Sequence, residues 1–145
     1  MRLRWQVTIG VPFGPQGSGQ CTAAPVYNGQ DLFLGGNETT SDATVTAAGT
    51  IQELVPTTGA VVWQTALQDG VIGSPTMDGG GVIAVGTYGG SPSPNETYLV
   101  DAATGQIIRT IAQGLDFAQT VFANNWMFGA NNNGVYAWAV SPASG

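Results

Sequence analysis

The chain carries nine acidic residues, three arginines, no lysine and no histidine. Five of the acids, Glu38, Asp42, Asp69, Glu96 and Asp116, lie between strand-like runs. A hard cation such as Ca²⁺ takes about six to eight oxygen ligands, which makes Glu38, Asp42, Glu96 and Asp116 the candidate metal ligands. No Asp-x-Asp-x-Asp-Gly spacing supports them, and solvated acidic loops are the competing reading. Without histidine there is no Ser/His/Asp triad, no Cys/His pair and no His-based metal site. Two acids could share acid–base work, but the spacing singles out no pair, so no catalytic residue is assigned. Cys21 is the lone cysteine and cannot form an internal disulfide; it reads as a small apolar residue beside a strand. Asn37-Glu-Thr and Asn95-Glu-Thr are Asn-x-Thr sequons, making Asn37 and Asn95 the candidate glycosylation sites. Chance in a Thr- and Asn-rich chain is the alternative.

The charge balance excludes partners as well. Net charge is −6, whereas phosphate binding draws on clustered Lys and Arg. Nucleic acid is therefore not an expected partner, and anionic membrane surfaces are disfavoured for the same reason. No apolar run approaches the roughly 18 residues of a membrane span. Met1-Arg-Leu-Arg-Trp5 goes straight into a strand-like run, so a secretory signal lies upstream of it or does not exist.

The elements that must position these residues are strands. Twenty-two glycines and eight prolines in 145 residues fit many tight turns, and no window sustains a helical period. Leu99-Val-Asp-Ala-Ala-Thr-Gly105 aligns with Glu53-Leu-Val-Pro-Thr-Thr-Gly59, the two glycines being 46 residues apart. Trp63 follows the first turn and Arg109 stands in the same slot after the second. Tyr136-Ala-Trp-Ala-Val-Ser-Pro-Ala-Ser-Gly145 is a third copy, and Trp5 fits the tryptophan slot at the start. Between these turns, Ser74–Gly86 parallels Ala24–Gly35, with a degenerate version over Thr120–Gly129. Each is a short strand, a polar turn and an apolar strand ending in glycine. Self-similarity at a period of roughly 40–50 residues, with four strands per unit, marks a propeller blade.

The pattern Leu-x-Asp-Ala-x-Thr-Gly-x-x-x-Trp resembles the repeat of the PQQ-type (quinoprotein-like) β-propellers, over nearly the whole chain. The aspartate slot holds Asp101, Val55 and Ser141; the tryptophan slot holds Trp5, Trp63 and Arg109. That superfamily includes quinoprotein alcohol dehydrogenases and non-enzymatic assembly and binding propellers. The resemblance therefore implies PQQ and Ca²⁺ as cofactors if the chain is part of an enzyme. PQQ carries carboxylates that call for Arg or Lys. Arg2, Arg4 and Arg109 all map to outer strands or the chain start. The family's vicinal cysteine pair is ruled out by the single Cys21.

The expected fold is all-β: antiparallel four-stranded blades of a partial β-propeller, about three of them, in one domain over residues 1–145. Residues 1–9 hold an orphan outer strand (Arg4–Ile9). Residues 22–66 form a blade from Thr22–Tyr27, Asp31–Gly36, Thr50–Val55 and Val61–Ala66. Residues 74–112 form another from Ser74–Asp78, Val82–Thr87, Thr97–Asp101 and Ile107–Ala112. Residues 118–140 form an incomplete blade from Ala118–Phe122, Trp126–Ala130 and Gly134–Val140. Two readings fit: a fragment of a larger propeller, or a subunit whose N-terminal strand completes the last blade of a second copy. Either way, Gly134–Val140 presents a bare strand edge.

Antiparallel geometry sorts the loops. One rim has only tight turns; the other carries Gly10–Gln20, Asn37–Gly49 and Tyr88–Glu96. Long loops in an economical fold are where binding sits. The sequence thus points to a non-catalytic binding or scaffold module outside the cytoplasm, with a protein or small-molecule ligand on the long-loop rim. The alternatives are part of a PQQ-dependent dehydrogenase, or a self-associating structural subunit. Trp5 and Trp63 are expected between blades rather than as ligand platforms.

Overall fold

The computed structural model describes residues 2–6, 23–37, 49–71, 73–87, 95–114 and 118–139. These hold eleven strands in three antiparallel sheets and no helix. The first sheet runs β1 (Val26–Tyr27), β2 (Leu32–Asn37), β3 (Gly49–Leu54), β4 (Val61–Leu67). The second runs β5 (Thr76–Met77), β6 (Val82–Gly86), β7 (Thr97–Asp101), β8 (Ile107–Ile111). The third holds β9 (Val121–Ala123), β10 (Trp126–Asn131) and β11 (Gly134–Ala139). Each sheet pairs sequence neighbours only, the up-and-down order of a propeller blade.

Turn chemistry closes each hairpin. At the first β1–β2 turn, Asn28 Oδ1 accepts from the amides of Gln30 (2.9 Å) and Asp31 (2.7 Å). Asp78 does the same in the second blade, accepting from Gly80 and Val82 at 2.8 Å each. In the third, Asn124 and Asn125 take φ of 49° and 63°, the left-handed pair that a two-residue hairpin loop requires. The Thr-Gly turns are also repeated structurally. Gly59 N donates to Val55 O (2.7 Å) and Gly105 N to Asp101 O (2.8 Å). A register shift falls between Glu53 and Leu54, and again between Leu99 and Val100.

The aspartate slot adds bonds that valine cannot supply. Asp101 Oδ1 accepts from both Thr104 N and Thr104 Oγ1 at 2.8 Å. Asp101→Ala is expected to cost about 1–2 kcal/mol, two exposed bonds each contributing roughly 0.5–1.5 kcal/mol at most. Val55→Asp should recover part of that in the first blade, and urea unfolding of the two variants checks both.

The core lies between the first two sheets. Phe33, Ile51 and Leu67 on one meet Ile83, Val85, Tyr98 and Val100 on the other. Strand alternation puts these on facing surfaces: Phe33 stands opposite Glu53 and Trp63, Gly35 opposite Ile51 and Thr65. Val71 occupies the space that a side chain at Gly35 would need. Tertiary contacts link β5 to β9, and Thr76 Oγ1 bonds Thr120 Oγ1 across the second and third sheets.

Two expectations shift. Residues 2–6, expected to begin a strand over Arg4–Ile9, form no strand; a strand needs a partner, and no sheet of the described residues offers one there. The innermost strands, expected over Thr22–Tyr27 and Ser74–Asp78, shrink to two paired residues each. Proline at 25 and 75 has no amide hydrogen to give the ladder.

The tryptophan slot is a seam between blades. Trp63 Nε1 donates to Ala102 O (3.1 Å) in the next blade's turn, and Thr65 Oγ1 donates to Gly105 O. Trp5 Nε1 donates to Pro56 O (2.9 Å). Pro56 and Ala102 are the same repeat position, so Trp5 sits where the outer strand of a preceding blade would place it.

Candidate functional site

The rim opposite the tight turns is where β2 leads to β3, β6 to β7, and each β-sheet to the next. Its strand ends are tied down. Thr87 N donates to Glu96 O (2.8 Å) and Thr87 Oγ1 to the same oxygen (3.1 Å). Thr97 Oγ1 donates to Gln113 O (2.6 Å), and Asn131 Nδ2 to Gly114 O (2.9 Å). A side chain at Gly49 would collide with the Asp69 backbone, and one at Gly114 with Asn95. The loops therefore leave from a rigid base, the arrangement that lets loop sequence vary without disturbing a core.

Few of the candidate residues fall among the described residues. Glu38, Asp42 and Asp116 lie outside the described residues, as does Cys21. Asp69 is buried. Glu96 is half-buried and accepts a hydrogen bond from the Tyr98 hydroxyl through Oε2. Among the described residues, no three His, Cys, Asp or Glu side chains come close enough to hold a metal ion. Asn37 ends β2 opposite Gly49, and Asn95 is half-buried beside Gly114.

Tyr98 is only 5% exposed. Burial pushes its hydroxyl up to about 12, reinforced by its bond to Glu96 and that carboxylate's charge. A raised pKa on a group that ionises to an anion means the folded state holds its proton longer than the unfolded chain. The Tyr98 contribution is thus intact below pH 10 and is lost as pH rises from about 10 through about 12. Thermal unfolding followed across that window should show a steeper fall for the wild type than for Tyr98→Phe.

The tight-turn rim holds features that spacing did not reveal. Asp31 and Glu53 approach closely enough that burial first, and Asp31's charge second, raise the Glu53 carboxyl above its ordinary value. They lie 22 positions apart in sequence, and only the β2–β3 register, with Phe33 opposite Glu53, brings them together. An open cleft of about 350 Å³ separates the inner turns of the second and third blades, lined by Asp78, Phe122, Asn124, Asn125 and Trp126 among others.

The PQQ hypothesis is tested by the cations. Arg2, Arg4 and Arg109 are all exposed, the first two beside Trp5 and the third on the outer strand β8. They are the chain's only cationic side chains. None lines the inner strands, so these residues do not fit a site for a polycarboxylate cofactor.

Antiparallel four-stranded sheets, joined by a tryptophan-to-turn seam and ordered from inner to outer strand, define consecutive blades of a β-propeller. The chain resembles the PQQ-type propellers in particular. It is similar to BamB from Moraxella catarrhalis, with TM-score 0.64 and 19% identity over 94% of this chain and 39% of that one. It is also similar to a europium-containing methanol dehydrogenase, with TM-score 0.54 and 12% identity over 82% of this chain and 24% of that one. The chain thus spans well under half the length of either. At these identities the likeness is one of fold. No family model and no curated protein matches the sequence. No helix among the described residues is long and apolar enough to cross a membrane.

Proposed function

We propose that the chain is a non-catalytic binding or scaffold module, working outside the cytoplasm, whose ligand-binding face is the long-loop rim. The observation that carries this reading is the contrast between the rims. On one, the turns between paired strands are two to six residues long, closed by their own side chains or holding the blade seam through their carbonyls. On the other, Thr87 and Thr97 tie down the strand ends that flank residues 88–94, and the paired Asn37 and Gly49 flank the 11 residues 38–48. The two sequons agree with export.

The test is to replace residues 38–48, or 88–94, with an Asn-Gly turn and measure binding to an extracytoplasmic extract, with bound species identified by mass. Both variants should stay folded and lose a ligand that the wild type retains. Retention of every ligand by both would count against the rim.

Membership in a PQQ-dependent dehydrogenase is the second reading, favoured by the likeness to the methanol dehydrogenase. It predicts quinone absorbance retained after desalting a mixture with PQQ and Ca²⁺. The placement of the three arginines leads us to expect none.

A further inference from the structure

The cleft between the inner turns of the second and third blades holds about 350 Å³, within the roughly 300–1,000 Å³ of ligand pockets. One wall is the β5–β6 turn, Asp78-Gly79-Gly80. The other is Phe122 of β9, with Asn124 and Asn125 of the turn that follows. The blades are joined close by, where Thr76 Oγ1 bonds Thr120 Oγ1, two residues before Asp78 and two before Phe122.

The carboxylate in this cleft has a free oxygen. Asp78 Oδ1 closes its own turn by accepting from Gly80 N and Val82 N. Oδ2 takes no hydrogen bond, and the carboxylate no ion pair, among the described residues. Nor does the cap call for a charge. In the first blade Asn28 closes the equivalent turn with a neutral amide oxygen. Gly79 has nothing within 4 Å of its missing side chain, so the turn sets only backbone beside Asp78.

The facing wall is apolar and amide. Phe122 is half-buried and pairs with buried Met127, whereas Val121 and Phe128, the next pair along, are exposed. Its ring thus belongs to the covered face of the third sheet. Asn124 and Asn125 are fixed by their left-handed turn, and their side chains make no hydrogen bond among the described residues.

A carboxylate beside an aromatic ring favours a cation, by direct attraction and through the ring's quadrupole. The oxygen already engaged decides which cation. A guanidinium recognises a carboxylate best through a fork on both oxygens, and Oδ1 is committed to two amides. Oδ2 alone suits the compact point charge of an ammonium, whose aliphatic stem lies along apolar surface. This chain has no lysine, and Arg2, Arg4 and Arg109 do not line the cleft. A second copy of the chain therefore brings no lysine either.

We propose that the cleft between the second and third blades takes a lysine side chain of a partner protein. Its ammonium sits on Asp78 Oδ2, with the Asn124 and Asn125 amide oxygens as further acceptors and its stem against Phe122. The net charge of −6 draws a basic partner toward the chain. The site is on the tight-turn rim, so it stands independently of the long-loop ligand.

The test is an NMR titration of the full chain with Nα-acetyl-lysine methylamide through the millimolar range. Saturable shifts are expected at the amides of Gly79, Gly80, Asn124 and Asn125, with affinity falling as salt rises. Asp78→Asn keeps the cap, as Asn28 does in the first blade, and should lower affinity at least ~10-fold with the rest of the spectrum unchanged. Probe comparisons need no variant: the uncharged norleucine analogue should not saturate the site, and the arginine analogue should bind more weakly. Equal shifts from the norleucine analogue or from glucose would overturn the proposal. So would tighter binding of the arginine analogue or of n-butylammonium, wild-type affinity in Asp78→Asn, or the absence of saturable shifts.

Discussion

Gly105→Ala is expected to be among the most damaging single substitutions in the chain, lowering stability by about 2–5 kcal/mol. Two costs add. The residue sits at φ +73°, where an L side chain costs roughly 1–2 kcal/mol. The new methyl would also lie 2.6 Å from Trp63 Cε3 and 3.0 Å from Thr65 Oγ1, and overpacking of this kind costs roughly 1–3 kcal/mol. The seam cannot yield easily, since Trp63 is held by Ala102 O and by Phe33, its ring 6.0 Å away. Gly29→Ala is the control. Gly29 also has positive φ, +104°, but nothing lies within 4 Å of its missing side chain. It should show the backbone cost alone. The difference between the two urea midpoints, at one fixed protein concentration, measures the seam. Equal midpoints would mean that the Trp63 contact constrains nothing.

Trp63→Ala should cost about 3–5 kcal/mol, the range for removing a large aromatic from a packed site. Trp63→Phe keeps most of the ring and loses the bond to Ala102 O, so about 1–2 kcal/mol is expected. The same slot elsewhere should respond differently. Arg109 is exposed, and Arg109→Ala should stay within roughly 0.5 kcal/mol of wild type, as surface changes do. Trp5 has its hydrogen bond to Pro56 but no sheet around it, and Trp5→Ala should fall between the two. If all three truncations cost the same, the slot is not a blade seam.

These cases show how far a one-dimensional pattern reaches. The Thr-Gly turns, the Asn-Gly and Asp-Gly hairpins and the strand limits were legible because they are local. A left-handed φ selects glycine or asparagine wherever it occurs, and a strand announces itself by period-two alternation. Thr97–Asp101 is observed with its expected bounds, and most other strands within one or two residues. The loss of pairing over residues 2–6 was not legible, because strand formation there depends on a partner and not on composition.

Long-range register also decides what surrounds the acidic residues. Glu96, counted among the rim acids, bonds Tyr98 two positions on, just before β7 begins at Thr97. Asp31 and Glu53 were not singled out, since register alone joins them. The tight-turn rim read as featureless because its cleft is made by two blades that no single turn describes.

By itself, then, the sequence determined the repeat, the all-β architecture, the turn chemistry and the absence of histidine- or lysine-based chemistry. Each of these follows from residue identity or from neighbours a few positions away. The tertiary structure alone decided which face of each strand is covered, why Trp63 and Arg109 differ in one slot, and that Trp126 and Phe128 stand exposed. Burial is set by the surface packed opposite, and that surface comes from residues some 40–50 positions distant in a repeat of this kind.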